Sequence, residues 1–277
     1  KGMLGKDIGE AFTSRGHEVI GTDKEDLDIT DLESAHAKIS EIKPDLLINT
    51  AAFNAVDLME EPQGYEIGYK VNAIGPENLA KITKELDITF IHYSTDYVFD
   101  GSKKDGYAEE DEPNPVSKYG ESKAEGERLA QAAGGDVYII RLSRLFGEPG
   151  ESDQSKPSFV ATMLALASKH PKLTIVDEET GTPAYTPDIA EATYDLVMAG
   201  EKPGIYHMVN SGEPVTWMGF AKEFFELAGV TTPVEPVPAS AFPRPAKRPA
   251  HSPLNNTKLA PLPDRKDALR RFLSKHQ

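Results

Sequence analysis

The 277-residue chain contains no cysteine, which excludes disulfides and any zinc site built on thiolates. Basic charge is scarce as well: 30 Lys and Arg face 45 Asp and Glu, a formal charge of −15. Neutralising phosphates takes a basic face, so no nucleic-acid partner is expected. Long apolar runs are missing too. Phe159 to Ala167 is interrupted by Thr162 and falls far short of the ~20 residues of a membrane helix, so no membrane partner is expected. The seven histidines are scattered without a His-x-x-x-His pair, and no metal site is expected. What is present, 39% hydrophobic and 8% aromatic residues, is enough for a packed core. The expectation is a cytoplasmic globular protein, with a homodimer left open.

Periodicity gives an alternating order. Leu4, Ile8, Ala11 and Phe12 fall at helical spacing, and Gly16 closes that helix before a strand-like Glu18 to Thr22. Thr30-x-x-Glu33 reads as a capping box opening a helix to about Ile42, and Leu46-Leu47-Ile48 reads as a buried parallel strand. A helix over Glu77 to Leu86, a strand from Thr89 to Tyr93, a helix near Tyr119 to Ala132 and a strand from Val137 to Leu142 follow. Such alternation predicts an α/β fold, a Rossmann-type doubly wound parallel sheet, over residues 1–147. Residues 148–277 predict a smaller, mainly substrate-binding α/β region with some segments returning to the sheet. Nine of the 21 prolines lie between Pro233 and Pro263, which predicts an ordered crossing loop.

Gly2-Met3-Leu4-Gly5 before an amphipathic helix, then a strand ending at Asp23, is the second half of a dinucleotide-binding motif. A parallel sheet needs its first strand, so about ten residues are expected before Lys1, which is not an initiator Met. Asp23 stands where an acid can bond the adenosine ribose hydroxyls, which favours NAD. Lys24 beside it could instead meet a 2′-phosphate, so NADH and NADPH both stay open.

The strongest constellation is Ser94-Thr95-Asp96-Tyr97 at a strand end, followed 24 residues after Thr95 by Tyr119-Gly120-Glu121-Ser122-Lys123. Positions four apart share a helical face, which predicts the Tyr119 phenol beside the Lys123 ammonium. A neighbouring cation is then expected to lower the phenol pKa toward a useful proton-transfer range.

With these residues in place the sequence resembles the extended short-chain dehydrogenase/reductases, and within them the dTDP-4-dehydrorhamnose reductase family. The matching stretches include Leu27-Asp28-Ile29-Thr30-Asp31, Asn49-Thr50-Ala51-Ala52, His92 to Phe99, Tyr119 to Lys123, Gly181-Thr182-Pro183 and Phe242 to Pro249. The resemblance implies NADPH- or NADH-dependent reduction of the C4 ketone of a dTDP-linked deoxyhexose. It implies Tyr119 as proton donor, Lys123 on the nicotinamide ribose and Thr95 on the reacting oxygen. It implies Gly2, Met3, Leu4, Gly5, Asp28, Ile29, Ala51, Ala52 and Tyr93 around the cofactor, with core packing as the competing reading for Ala51, Ala52 and Ile29. Asp96 and Tyr97 would approach the substrate.

Related sugar-nucleotide dehydratases place Asp-Glu after the strand-end Thr. Here Tyr97 replaces that Glu, so elimination lacks its second carboxylate and simple reduction is expected. Two positions depart from the family pattern: Arg144 stands where a sugar-stacking Trp is common, and His251 where a Tyr is common. The alternatives are a reductase of another dTDP-deoxysugar, or a noncatalytic regulatory subunit like that of methionine adenosyltransferase. The charge is uneven: residues 243–277 hold nine basic and two acidic side chains. Arg244, Lys247 and Arg248 are therefore candidates for a substrate diphosphate, with pairing to surface acids as the competing reading.

Overall fold

A computed structural model describes residues 1–151 and 156–276. Strands β1 (Leu46–Asn49), β2 (Thr89–Thr95) and β3 (Val137–Leu142), with the strand Gly204–His207 outside β3, form one parallel sheet in that order. β2 and β3 are buried along nearly their whole length, as a strand covered on both faces must be. The helices are α1 (Met3–Thr13), α2 (Leu32–Ile42), α3 (Pro62–Tyr69), α4 (Gly75–Glu85), α5 (Lys118–Ala133), α6 (Phe159–Ala167), α7 (Thr186–Met198), α8 (Trp217–Ala228) and α9 (Arg265–Ser274).

Side-chain alternation along β2 divides the core. Ile91 and Tyr93 face a cluster with Leu4, Ile8 and Phe12 of α1 and Ile189 of α7. Phe90 faces the opposite cluster with Ile39 of α2, Leu79 and Ile82 of α4 and Ala130 of α5. A further cluster, built on Phe146, Tyr185, Phe220, Phe224 and Phe272, joins α8 and α9 beyond the sheet.

Several local expectations are corrected. Asp31, not Thr30, caps α2 by accepting from the Ser34 amide, while Thr30 bonds the Asp28 carboxylate. Glu18 to Thr22 forms no strand among the described residues, and Val19 and Ile20 are exposed, because no neighbouring strand offers them a ladder. The proline-rich stretch does cross the molecule, and it also contributes the strand Val234–Val237, paired parallel to Leu173–Val176 in a two-stranded sheet. Pro236 is tolerated there because a two-stranded sheet has only edge strands. α9 was not foreseen from the periodicity.

Candidate active site

β2 delivers Thr95 to the carboxyl edge of the sheet, and Asp96–Val98 turns there as a short 3-10 helix. The Thr95 hydroxyl caps that turn by accepting from the Tyr97 amide at 3.2 Å. α5 starts against the same turn: Ser117 caps it by accepting from the Gly120 amide at 3.2 Å. Gly120 is required there, since a Cβ would come within 2.2 Å of the Tyr97 carbonyl oxygen. Gly126 serves the same end lower on the helix, 2.1 Å from the Asn72 carbonyl oxygen by the same construction. The two glycines seat α5 close against the turn, which brings Tyr119 beside the Thr95 side chain. Tyr119 and Tyr97 meet edge to face, with centroids 5.6 Å apart.

Tyr119 and Lys123 share the buried face of α5, but their polar ends go separate ways. The Lys123 ammonium position lies 2.6 Å from the Tyr93 carbonyl oxygen and 3.1 Å from His92 Nε2. Burial pushes Lys123 down to about 8, with Glu127 pulling it back up. Burial also pushes the Tyr119 phenol above its ordinary value, opposed by the Thr95 hydrogen bond and reinforced by Asp96 and Tyr97. The expected lowering of the Tyr119 pKa by Lys123 is therefore corrected. Desolvation dominates, and Tyr119 is held protonated.

On the other side of the turn, Asp96 is buried and accepts from Ser252 Oγ at 2.6 Å. Burial raises its pKa, opposed chiefly by that bond and by the Arg144 charge. Tyr97, pushed up to about 12 by burial, lies beside it. Arg144 adopts φ 45°, in the left-handed region. Its guanidinium donates to the carbonyls of Val215 (2.8 Å) and Glu179 (2.7 Å) and lies 4.1 Å over the Trp217 ring. Arg248 grips Asp57 with both nitrogens, at 2.5 and 2.8 Å, and Arg244 pairs with Glu179. These arginines are thus paired with acids, while Lys247 is exposed. The basic segment borders a 490 Å³ cavity that also includes Asp100, Glu178 and Glu179. His251 Nδ1 lies 2.5 Å from Thr180 Oγ1.

At the front, Gly2 precedes α1 and supplies no side-chain cap to its first-turn amides. A Cβ on Gly5 would stand 3.0 Å from Thr50 Oγ1, which places the start of α1 beside the end of β1. Met3 is half-buried, whereas Leu4 belongs to the core. Ile29 packs on Gly75 and is core, while Ala51 and Ala52 are exposed, so core packing accounts for the first and not for the other two. Asp23 is half-buried in a turn, and its carboxylate accepts from the Lys24 amide. Asp28 is occupied by Thr30. The Tyr93 side chain points away from Lys123 to bond Thr193 at 2.6 Å, and only its carbonyl reaches the site.

Sequence reasoning missed Ser252, which is 156 positions from Asp96, and Trp217, which lies under Arg144. Neither carries a spacing signal. His92 reads from the sequence only as one residue of the strand from Thr89 to Tyr93. The alternation of β2 could have placed His92 and Lys123 together, because it turns His92 to the α5 face.

Comparison with known proteins bears directly on this arrangement. The family model described as the RmlD substrate binding domain matches residues 1–276. A dTDP-4-dehydrorhamnose reductase of Aggregatibacter actinomycetemcomitans is 38% identical over 271 residues, covering 93% of this chain and 89% of its own. The crystal structure of a dTDP-4-dehydrorhamnose reductase from Clostridium acetobutylicum matches with a TM-score of 0.93 and 37% identity, covering 100% of this chain and 97% of its own. One from Bacillus anthracis, solved in complex with NADP, matches at 0.92 and 30% identity, covering 99% and 96%. With the family model matching residues 1–276 and relatives this similar over most of the chain, the chain belongs to the RmlD family, that of the dTDP-4-dehydrorhamnose reductases.

Proposed function

We propose that the protein reduces the C4 ketone of dTDP-4-dehydro-L-rhamnose to dTDP-L-rhamnose, with NADPH or NADH, in cytoplasmic nucleotide-sugar synthesis for cell-surface polysaccharide. The observation that carries this reading is the Tyr119 phenol, buried beside the Thr95 side chain at the carboxyl edge of the sheet and held protonated by that burial. A ketone reductase needs a proton donor for the forming alkoxide, and a phenol kept neutral at working pH fits that direction of reaction. Thr95 orients Tyr119 and offers its hydroxyl to the reacting oxygen.

The residues present fit a dinucleotide. The first turn of α1, with open space beside Gly2 and Gly5 set close to Thr50, suits a pyrophosphate. When bound, the reduced nicotinamide supplies the hydride. Lys123 serves the nicotinamide ribose from the floor of the site; exposed Ala51 and Ala52 and half-buried Met3 line the approach. Residues 1–147 and the strand Gly204–His207 form the cofactor half, and the rest mainly the sugar-nucleotide half.

On the substrate side Asp96, fixed by Ser252, and Tyr97 meet the sugar. Arg144 holds the wall through Trp217 and two carbonyls and does not bind the ligand directly. Arg248 and Lys247 stand at the cavity where the diphosphate would lie. Oxidation of NADPH or NADH by purified protein with dTDP-4-dehydro-L-rhamnose, followed by absorbance, tests the reading across a panel of sugar nucleotides. Turnover is expected with this substrate above its relatives. No oxidation of either nucleotide would reject it.

A further inference from the structure

Ser252 is delivered to Asp96 by a segment that is tied down on both sides. Its amide donates to the Thr180 carbonyl at 3.0 Å, and the Leu254 amide donates to Thr182 Oγ1 at 3.1 Å. From the other side the Tyr107 amide donates to the Pro253 carbonyl and the Asn255 amide to the Tyr107 carbonyl, both at 2.8 Å. Further on, the Thr257 amide and hydroxyl donate to the buried Glu109 carboxylate, at 3.1 and 2.6 Å. On this fixed backbone the buried Ser252 hydroxyl donates to Asp96 Oδ2 at 2.6 Å. The other carboxylate oxygen is held more loosely. Thr95 Oγ1 lies 3.2 Å from Oδ1, beyond the usual range of about 2.5–3.0 Å between two oxygens. Ser143 is buried beside the same carboxylate, and its Oγ has no hydrogen bond of good geometry among the described residues. Buried polar atoms left short of partners are places where a ligand's polar group is called for.

The chemistry of the sugar says which group that is. In the proposed reaction Thr95 meets the oxygen on C4. Asp96 follows Thr95 in the chain with Oδ1 turned toward that hydroxyl, so it faces the substituents of a carbon adjoining C4. C5 carries a methyl group and the ring oxygen, and neither has a hydrogen to donate. C3 carries a hydroxyl, and a carboxylate only accepts. We propose that Asp96 is the specificity residue that demands a hydroxyl at C3 of the sugar, with Ser252 as its positioning residue, which occupies Oδ2 and leaves Oδ1 to accept. This rests on the proposed function and adds to it the feature beside C4 that the site reads. The surroundings agree. Burial raises Asp96 above its ordinary value, opposed first by the Ser252 bond and then by the Arg144 charge. The other titratable groups facing it, Tyr97 and Tyr119, are themselves pushed up by burial and stay protonated. A site built to bond a substrate hydroxyl rejects the analogue without it, because its own buried atoms are then left unpaired.

The test is the ratio of kcat/KM for dTDP-4-dehydro-L-rhamnose to that for its 3-deoxy analogue, measured with NADPH for the unsubstituted protein, Ser252→Ala and Asp96→Ala. The unsubstituted protein should prefer the hydroxylated sugar by about 10²-fold or more. Asp96→Ala should keep only the part of that preference that comes from the ketone's own reactivity, about tenfold or less. Ser252→Ala should lower the ratio by about tenfold, while the dinucleotide Kd, read by fluorescence titration, changes by less than about twofold. A general loss of structure would lower both sugars' kcat/KM together and leave the ratio where it was. Equal turnover of the two sugars by the unsubstituted protein overturns the proposal, whether or not the Asp96 variant folds. A Ser252→Ala protein with the full preference overturns the role of Ser252. In both cases the reductase reading stands, whereas no turnover of either sugar rejects that reading and this proposal with it.

Discussion

The two sides of the 96–98 turn are built by different means. On the α5 side, Thr95, Tyr119, Lys123 and His92 come from one strand and the helix that packs on it, and nearly everything is buried and neutral or paired. On the opposite side, residues far apart in sequence are tied by charge: Arg248 to Asp57, Arg244 to Glu179, Arg144 to the Val215 and Glu179 carbonyls. The first side holds chemistry in place by packing. The second is assembled by ion pairs that a bound diphosphate can compete for, because Asp57 remains 42% exposed while Arg248 is 11% exposed.

Substitutions can break this contrast in graded steps. The largest effect is expected from Tyr119→Phe, which removes the proton donor and keeps the ring. Turnover should fall by about 10²–10⁴-fold while dinucleotide binding, read by fluorescence titration, stays nearly unchanged. Next is Arg141→Met, which leaves Glu127 charged and unpaired beneath α5. A loss of about 3–5 kcal/mol in urea unfolding is expected. A loss below 1 kcal/mol would mean that the buried side is less tightly built than its geometry indicates.

Acid should then unfold the buried side first. Burial lowers His207 to about 4, with Arg141 reinforcing and Glu109 opposing. The unfolded chain takes up that proton below about 6.5 and the folded one does not, so stability is full above pH 6.5 and falls as pH drops toward 4. The slope is about 1.4 kcal/mol per pH unit for one such group. His207→Gln should flatten unfolding midpoints over that window. The smallest effect on folding is expected from Arg248→Ala, about 1 kcal/mol or less, since its partner is half in water. Its KM for the sugar nucleotide should nevertheless rise roughly tenfold against little change for NAD(P)H. Equal changes in both would erase the distinction between the two sides.

That contrast also decides what was legible in the sequence. Strand β3 and the burial of Tyr119 and Lys123 on one helix face follow from periodicity, because both depend on local spacing. The direction of the Lys123 side chain does not, since it depends on how far α5 sits along β2, which Gly120 and Gly126 fix through contacts with backbone oxygens. Ser252 on Asp96 and Asp57 on Arg248 join positions 156 and 191 residues apart, and no local pattern records them. Arg144 reads as a surface or ligand residue until its left-handed backbone and the Trp217 ring beneath it are seen. Glu18 to Thr22 has the composition of a strand, but a strand also needs a neighbour.

The central claim is that this site moves hydride from a reduced nicotinamide to C4 of a dTDP-deoxyhexose while Tyr119 supplies the proton. Turnover of dTDP-4-dehydro-L-rhamnose with NADPH or NADH deuterated at the transferable position of the nicotinamide ring, followed by NMR of the product, tests it most directly. Deuterium at C4 of dTDP-L-rhamnose, still at C4 but formed about 10²–10⁴-fold more slowly with Tyr119→Phe, is the predicted result. Deuterium at another carbon, or product formed with solvent hydrogen at C4, would contradict it.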